Sequence, residues 1–180
     1  MTKDGVAVLH LGDEHEVRRI SEADYASLLS AGVVLSLAEF SSETLLELLL
    51  KVTDPRVVDR IPKVVEEVGI TERCYILVDD ILWARSVATI SDSARTALLV
   101  RNPFPNAQLI ARERVSAVAL PASLIRPRLV EEFKRLGIRV FTWLVNDVSQ
   151  AMRVVRHGVD SLITSRRTLK KELQHYLTYA

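Results

Sequence analysis

Short runs of apolar residues recur along the chain and are rich in β-branched and aliphatic side chains. Runs of this length fit strands that are buried on both faces of a sheet. The predicted strands cover residues 6–9, 45–52, 74–78, 97–100, 116–120, 140–144 and 161–164. The core of the protein is therefore expected to form around a sheet of short strands.

Two segments between these strands place their apolar residues with the 3.6-residue period of an amphipathic helix. The first contains Val57, Val58, Ile61, Val64, Val65 and Val68, and the second contains Leu129, Val130, Phe133 and Leu136. Pro55, which follows Asp54, and Pro127 suit first helical turns. Pro62 lies inside the first pattern and predicts either a kink or a later start of that helix. The patterns stop where glycines favour a helix end, at Gly69, Gly137 and Gly158.

Strand and helix alternate to the end of the chain, which predicts βα units and a mostly parallel sheet. An open doubly wound sheet and a closed (β/α)₈ barrel both fit this alternation. A barrel uses roughly 30 residues per unit, so 180 residues hold about six units. A barrel would therefore be incomplete. No linker or low-complexity segment interrupts the pattern, which favours one domain over residues 1–180.

Composition limits the classes of partner. With 24 Lys and Arg against 23 Asp and Glu, the net charge is +1, which argues against nucleic-acid binding and against a membrane surface. The most apolar stretch, residues 45–50, is far shorter than the roughly 20 residues that cross a bilayer. A single cysteine, Cys74, and the lack of a signal-peptide pattern predict a cytoplasmic protein.

The last third of the chain reads G-I-R-V-F-T-W-L-V-N-D, then a helix, then G-V-D-S-L-I-T-S-R-R. This resembles the last two βα units of glycerophosphodiester phosphodiesterases, in which a strand ends in W-T-V-N and the next segment reads G-V-D-G-I-I-T-D-x-P. The shared residues are Trp143, Val145, Asn146, Gly158, Val159, Asp160, Ile163 and Thr164.

The N-terminal segment T-K-D-G-V-A-V-L-H resembles the family's T-K-D-G-x-x-V-x-x-H-D and places His10 at a catalytic histidine position. Leu37-Ala-Glu-Phe40 resembles the family's L-x-E-hydrophobic segment, which comes before the next strand. The resemblance implies an α/β, TIM-barrel-like (β/α) fold with mostly parallel strands. It also implies hydrolysis of phosphoric diesters in lipid and glycerophosphodiester metabolism.

Several departures from the family pattern bear on activity. The T-K-D-G segment begins at residue 2, whereas the family has His-Arg-Gly and Glu-x-Asp on two earlier strands. We therefore expect an incomplete barrel without the first βα unit and the second strand. The family's next Glu-x-Lys reads Leu49-Leu50-Lys51, so the glutamate is leucine. Glu47 lies two residues earlier, about 6.6 Å deeper along a strand. Ser165 replaces the family's terminal aspartate.

The family's chemistry requires a divalent metal, Mg²⁺ or Ca²⁺, held by carboxylates, and histidines that transfer protons. Without those carboxylates we expect no bound metal or other cofactor and weak or absent activity. His10 is then the one catalytic candidate, and an ordinary strand-end histidine is the alternative. His10 with Asp13, Glu14 and His15 also suggests a metal site, but a charged surface loop explains that cluster better.

Basic residues follow several predicted strands, and phosphate commonly binds the loops after strands seven and eight of (β/α)₈ barrels. Lys51, Arg166 and Arg167 are therefore the predicted phosphate-binding residues, with Arg101 also at a strand end. The resemblance adds Trp143 to the predicted substrate-binding residues, because it stands where the family has a strand-end tryptophan that lines the pocket. The alternative is a solvated helix start for the two arginines and core packing for the tryptophan. Asp79 and Asp80 form an acidic pair after another strand.

Two functions remain open from the sequence. One is a glycerophosphodiester phosphodiesterase-family protein with little or no hydrolysis. The other is a non-catalytic, barrel-derived module that binds a phosphorylated small molecule or acts as a subunit. An incomplete barrel would expose the edges of its sheet, which predicts a homo-oligomer that associates through an open edge.

Overall fold

A computed structural model describes residues 1–10, 17–32, 34–43 and 46–178. These residues form eight strands, which are β1 (Val8–His10), β2 (Val34–Ser36), β3 (Leu48–Lys51), β4 (Cys74–Val78), β5 (Arg95–Leu99), β6 (Ala117–Pro121), β7 (Arg139–Trp143) and β8 (Ser161–Leu162). The helices in the same residues are α1 (Val17–Glu22), α2 (Tyr25–Ser30), α3 (Leu37–Glu43), α4 (Ile61–Glu67), α5 (Ile81–Ile90), α6 (Ala107–Arg112), α7 (Pro127–Arg135), α8 (Val148–Arg156) and α9 (Leu169–Thr178).

Each predicted apolar run overlaps a strand, so the predicted strands are confirmed in position, with ends that differ by a few residues. The pairing of the first strand was wrongly predicted, because β1 does not join a parallel sheet. It pairs antiparallel with β2, with Val8 opposite Ser36 and His10 opposite Val34. Val34 belongs to a small cluster of buried residues with Ile20 and Leu28, and Val8 packs against this cluster.

The described chain divides into two compact units. The first consists of Met1–Val78 and Ser86–Arg95. In it, β3 and β4 pair in parallel from Leu48 opposite Cys74 to Lys51 opposite Leu77. Every residue of β4 is buried, as expected for a strand that is covered on both faces.

The second unit consists of Asp79–Arg85 and Thr96–Ala180. In it, β5, β6, β7 and β8 pair in parallel in chain order. The middle of β6 consists of small and aliphatic residues that are fully buried, which explains its continuous apolar sequence. The single-domain organisation of residues 1–180 stays a prediction.

Helix ends follow the sequence signals. Pro62 lies in the first turn of α4, so the predicted later start is confirmed and the proline removes no helical hydrogen bond. The side-chain oxygens of Asn106 and Asp147 accept hydrogen bonds from backbone N–H groups at the starts of α6 and α8. After α4, α7 and α8 the chain turns through positive φ angles of 75°, 75° and 85° at Gly69, Gly137 and Gly158.

Among the described helices, none combines the length and the apolar character that crossing a lipid bilayer requires.

Candidate functional site

The segment after β7 is fixed to its neighbours by hydrogen bonds. Trp143 ends the strand half-buried, and its indole Nε1 donates to the carbonyl oxygen of Ala119 at 3.2 Å. The Trp143–Leu144 peptide bond is cis. The backbone N–H of Val145 then donates to the carbonyl oxygen of Ile163 at 3.0 Å. The hydrogen bond from Trp143 Nε1 fixes the orientation of the indole, and the one from the Val145 N–H holds the residues after β7 against those after β8.

Asn146 connects the same two segments through its side chain. Its Oδ1 accepts hydrogen bonds from Thr164 Oγ1 at 2.9 Å, from the Ser165 backbone N–H at 3.0 Å and from Ser165 Oγ at 3.2 Å. Thr164 Oγ1 in turn accepts a hydrogen bond from the backbone N–H of Arg166 at 3.0 Å. One amide oxygen therefore holds the loop that carries the two candidate arginines.

Arg166 and Arg167 differ in their surroundings. The Arg166 guanidinium donates through Nη1 to the Asn146 carbonyl oxygen at 2.9 Å and through Nη2 to both oxygens of Glu172, at 2.6 and 2.8 Å. Arg167 is exposed, and its side chain has no ion pair or hydrogen bond with the part of the chain that the structure describes. The charge of Arg166 is therefore compensated internally, whereas that of Arg167 is open to solvent.

The backbone amides before α9 are partly used within their own turn. The Leu169 N–H donates to the Arg166 carbonyl oxygen, and the Glu172 N–H donates to that of Thr168, both at 3.2 Å. An anion beside Arg167 would thus depend on the guanidinium more than on these two amides.

His10 and Lys51 lie in the first unit, at the carboxyl ends of β1 and β3. Both line a cavity of about 580 Å³ whose walls are mostly aliphatic and include Leu49. His10 is half-buried and Lys51 is exposed. Asp54, also in the wall, accepts hydrogen bonds from Arg56 Nε and Nη2 at 2.9 and 2.8 Å. The structure thus places two of the predicted residues at one cavity.

A sequence model of the glycerophosphoryl diester phosphodiesterase family matches residues 74–168, which is more than half of the chain. This chain belongs to that family. A search of curated protein sequences found no match. The family match covers both motif segments around β7 and β8, so the resemblance of those segments is confirmed.

Solved structures agree in fold. A glycerophosphodiester phosphodiesterase from Parabacteroides distasonis superposes with a TM-score of 0.79 at 16% identity, covering 99% of this chain and 80% of its own. One from Thermotoga maritima gives 0.73 at 16% identity over 100% and 82% of the two chains. An Oleispira antarctica phosphodiesterase in complex with the product sn-glycerol-3-phosphate gives 0.75 at 14% identity over 99% and 82%. These similarities show that the fold is the TIM-barrel-like α/β fold of the family.

The residues described here do not fit the divalent-metal site of the phosphodiesterase family. The described ranges contain no group of three or more His, Cys, Asp or Glu residues that could hold a metal ion. The expectation that Leu49 takes the position of the family's glutamate, where a leucine would supply no oxygen ligand, stays a prediction. Asp13, Glu14 and His15 lie outside the described residues, so the proposed loop cluster stays a prediction.

Asp160, from the family motif G-V-D, has a structural role that the sequence did not indicate. Its Oδ2 accepts a hydrogen bond from the Val140 N–H, and its own N–H donates to the Val140 carbonyl oxygen, both at 2.8 Å. Its Oδ1 forms an ion pair with Lys134 Nζ at 3.2 Å. Because Asp160 precedes β8, it fastens the entry of that strand and not its carboxyl end.

Local structure accounts for Asp80 of the acidic pair and for the buried thiol of Cys74. Asp80 Oδ1 accepts a hydrogen bond from the Leu82 N–H at 2.7 Å, which orders the first turn of α5. Burial raises the pKa of the Cys74 thiol to about 12, as suits an inert core cysteine. Asp79 is exposed beside Asp80. The acidic pair thus contributes at least one helix-capping group.

Proposed function

We propose that this chain recognises a phosphoester of the glycerophosphodiester class and that its own metal-dependent hydrolysis is weak or absent. In this role the chain acts in glycerophosphodiester and lipid metabolism, as a cytoplasmic family member with degenerate catalysis. The observation that carries it is the loop after β8, where Asn146 orders a segment that bears both Arg166 and the exposed Arg167.

Each side chain of this loop has a defined part in phosphate binding. Arg167 offers an uncompensated guanidinium, whose planar set of donors suits two oxygens of a phosphate group. Arg166 already donates through Nη2 to both oxygens of the Glu172 carboxylate, and a phosphate would replace this carboxylate. Trp143, held by Ala119, would contact the organic part of the ligand.

The predicted weakness of hydrolysis rests on the first unit. Phosphodiester cleavage in the family needs a cation that neutralises charge on the phosphoryl oxygens. Leu49 offers only a hydrocarbon side chain there, so no step through a metal is assigned to this chain. His10 remains a candidate proton donor or acceptor, and Lys51 a separate candidate phosphate ligand.

Thermal unfolding with sn-glycerol 3-phosphate tests recognition. A ligand at 100 times its Kd stabilises the folded state by about 2.7 kcal/mol, which is readily measured. We expect Arg167→Ala to abolish most of the shift, and Arg128→Ala, an exposed arginine on α7, to leave it unchanged. An unchanged shift in Arg167→Ala would refute this site.

An assay for glycerophosphocholine hydrolysis with Mg²⁺ or Ca²⁺ tests the catalytic part of the proposal and should show little turnover. Robust turnover that is lost in His10→Ala would overturn it.

A further inference from the structure

One edge of the second unit carries an excess of positive charge. β5, β6, β7 and β8 are parallel neighbours, so the loops after them and the first turns of α6, α7, α8 and α9 lie along the same edge of the sheet. Neighbouring strands are about 4.8 Å apart, so the four strand ends span only about 15 Å. We call this surface the carboxyl edge, and it consists of residues 100–110, 122–130, 144–151 and 163–172.

The cations of the carboxyl edge are mostly open to solvent. Besides Arg166 and Arg167, they are Arg101, Arg126, Arg128, Lys170 and Lys171, all exposed. None of these side chains beyond Arg166 has an ion pair or hydrogen bond with the residues that the structure describes. The acidic residues of the same segments are engaged, because Asp147 caps α8 and Glu172 pairs with Arg166. The net charge of +1 is an average over the chain and does not describe this edge.

Two apolar side chains project from the same edge. Phe104, between two prolines in the loop after β5, is 77% exposed, and Leu144, directly after β7, is 50% exposed. The Phe104 loop is ordered, since the Phe104 N–H donates to Asn102 Oδ1 at 2.9 Å. The Arg126 guanidinium carbon lies 5.7 Å from the centre of the Phe104 ring. Exposed apolar side chains among cations suit the head-group region of an anionic membrane.

We propose that the carboxyl edge docks on the surface of a lipid bilayer that contains anionic lipids. Phe104 and Leu144 enter the layer beneath the head groups, and the cations face the lipid phosphates. A nucleic acid also attracts cations, but it offers stacked bases and no place for an aliphatic side chain such as Leu144, so a lipid surface fits better. The inference does not rest on the proposed phosphate loop, because it requires neither Arg166 nor Arg167.

Sedimentation of the full chain with lipid vesicles tests the docking. Vesicles of phosphatidylcholine with phosphatidylserine should bind the chain, and vesicles of phosphatidylcholine alone should bind it much more weakly. Binding to the anionic vesicles should fall steeply between about 0.1 M and about 1 M NaCl, because the Debye length shortens from about 10 Å to about 3 Å. Equal binding to both kinds of vesicle, or binding to neither, would overturn the proposal.

Single charge changes locate the docking surface. Arg101→Gln and Lys171→Gln should each weaken binding to the anionic vesicles about fivefold, since one cation near an anionic surface contributes about 1 kcal/mol. Arg112→Gln and Arg156→Gln are the matched controls, because these exposed arginines lie in the last turns of α6 and α8, away from the carboxyl edge. They should leave binding unchanged. Controls that weaken binding as much as the first pair would show that no particular edge is used.

An apolar change tests insertion into the bilayer. Phe104→Ala should weaken binding about fivefold, since burial of about half of a phenylalanine side chain in apolar surroundings contributes about 1 kcal/mol. Leu35→Ala, at a leucine that is 47% exposed in the first unit, should leave binding unchanged. If Phe104→Ala binds as the parent does, Phe104 does not enter the bilayer and the assignment of this edge is wrong.

Two competitors separate the docking from other anion binding. A single-stranded oligothymidylate should bind more weakly than the anionic vesicles, and tighter binding would make the edge a nucleic-acid surface and overturn the proposal. Saturating sn-glycerol 3-phosphate should leave vesicle binding in place, whether or not it stabilises the folded protein, so the two proposals can fail separately. Loss of vesicle binding would show that the lipid head groups occupy the loop after β8, and docking by the edge would be refuted.

Discussion

Arg166 Nη2 lies 2.6 Å from Glu172 Oε1 and 2.8 Å from Glu172 Oε2. A carboxylate from α9 of the same chain therefore already accepts hydrogen bonds from a guanidinium nitrogen that a phosphate would use. The pair is partly exposed, with 43% and 34% of the two side chains accessible. Ion pairs at such positions contribute little, so an external anion can replace the carboxylate.

Glu172→Gln is expected to strengthen the binding of sn-glycerol 3-phosphate, because it removes the charge that competes for Arg166. An exposed ion pair is worth up to about 1 kcal/mol, so affinity should rise by up to about fivefold. Calorimetric titration measures the change. Glu132→Gln, an exposed glutamate on α7, is the matched control and should leave the affinity unchanged. Weaker binding in Glu172→Gln would show that Glu172 positions Arg166 and does not compete with the ligand.

Asn146→Ala is expected to loosen the loop after β8, because three donors lose their shared acceptor. The free energy of unfolding should fall by about 1 kcal/mol, and glycerol phosphate binding should weaken with it. Asn102 provides a control, since its Oδ1 accepts one hydrogen bond, from the Phe104 N–H. Asn102→Ala should therefore lower the free energy of unfolding by less than Asn146→Ala does. Equal losses in chemical denaturation would contradict a special role for Asn146.

The sequence predicted strands best where burial alone decides the pattern. β4 and β6 are buried almost throughout, so their continuous apolar runs were sufficient to predict both strands. β2 was missed because it is only three residues long and includes a serine, so its apolar stretch is shorter than the runs of four or more residues that predicted the other strands. Its pairing with β1 also joins residues about 26 positions apart. A pattern along the chain does not specify such a partner.

The candidate site was predictable only in part for a similar reason. Strand ends and family motifs pointed to Arg166, Arg167 and Asn146, and these residues do share one loop system. The pairing of Arg166 with Glu172 depends on how α9 turns back after the loop, because Arg166 precedes the helix and helical spacing does not relate the two. Likewise, the contact of Asp160 with Val140 requires two strands to pair in a particular register.

Asp54→Asn should make the stability of the folded protein depend less on pH. The hydrogen bond from the Arg56 side chain holds the pKa of the Asp54 carboxyl below its usual value of 3.8. A lowered folded-state pKa contributes stability that is present above pH 3.8 and is lost as pH falls through the folded-state value. The variant should therefore be less stable than the parent at pH 7 and nearly equal to it at the acid end of the range.

Thermal unfolding from pH 7 to pH 2 measures that convergence. Glu67→Gln changes an exposed carboxylate on α4 and should give a curve parallel to that of the parent. If the difference between Asp54→Asn and the parent stays constant with pH, the stabilisation does not come from the ionised carboxylate. The hydrogen bond from the Arg56 backbone N–H is kept in the variant, since asparagine can also accept it, so it does not contribute to the difference.

The expected homodimer has a specific edge at which it can be tested. Within the described residues, β8 pairs with β7 and with no strand on its other side. Its backbone N–H and C=O groups there favour pairing with a strand of a second copy.

Light scattering at low micromolar concentration should give about twice the 20.2 kDa of one chain. Ser161→Lys, which places a charge on this half-buried edge strand, should shift the mass towards 20.2 kDa, whereas Ser149→Lys on α8 should not. A parent protein that already shows the single-chain mass and unfolds cooperatively would contradict the dimer, because the edge of β8 would then be stable without a partner chain.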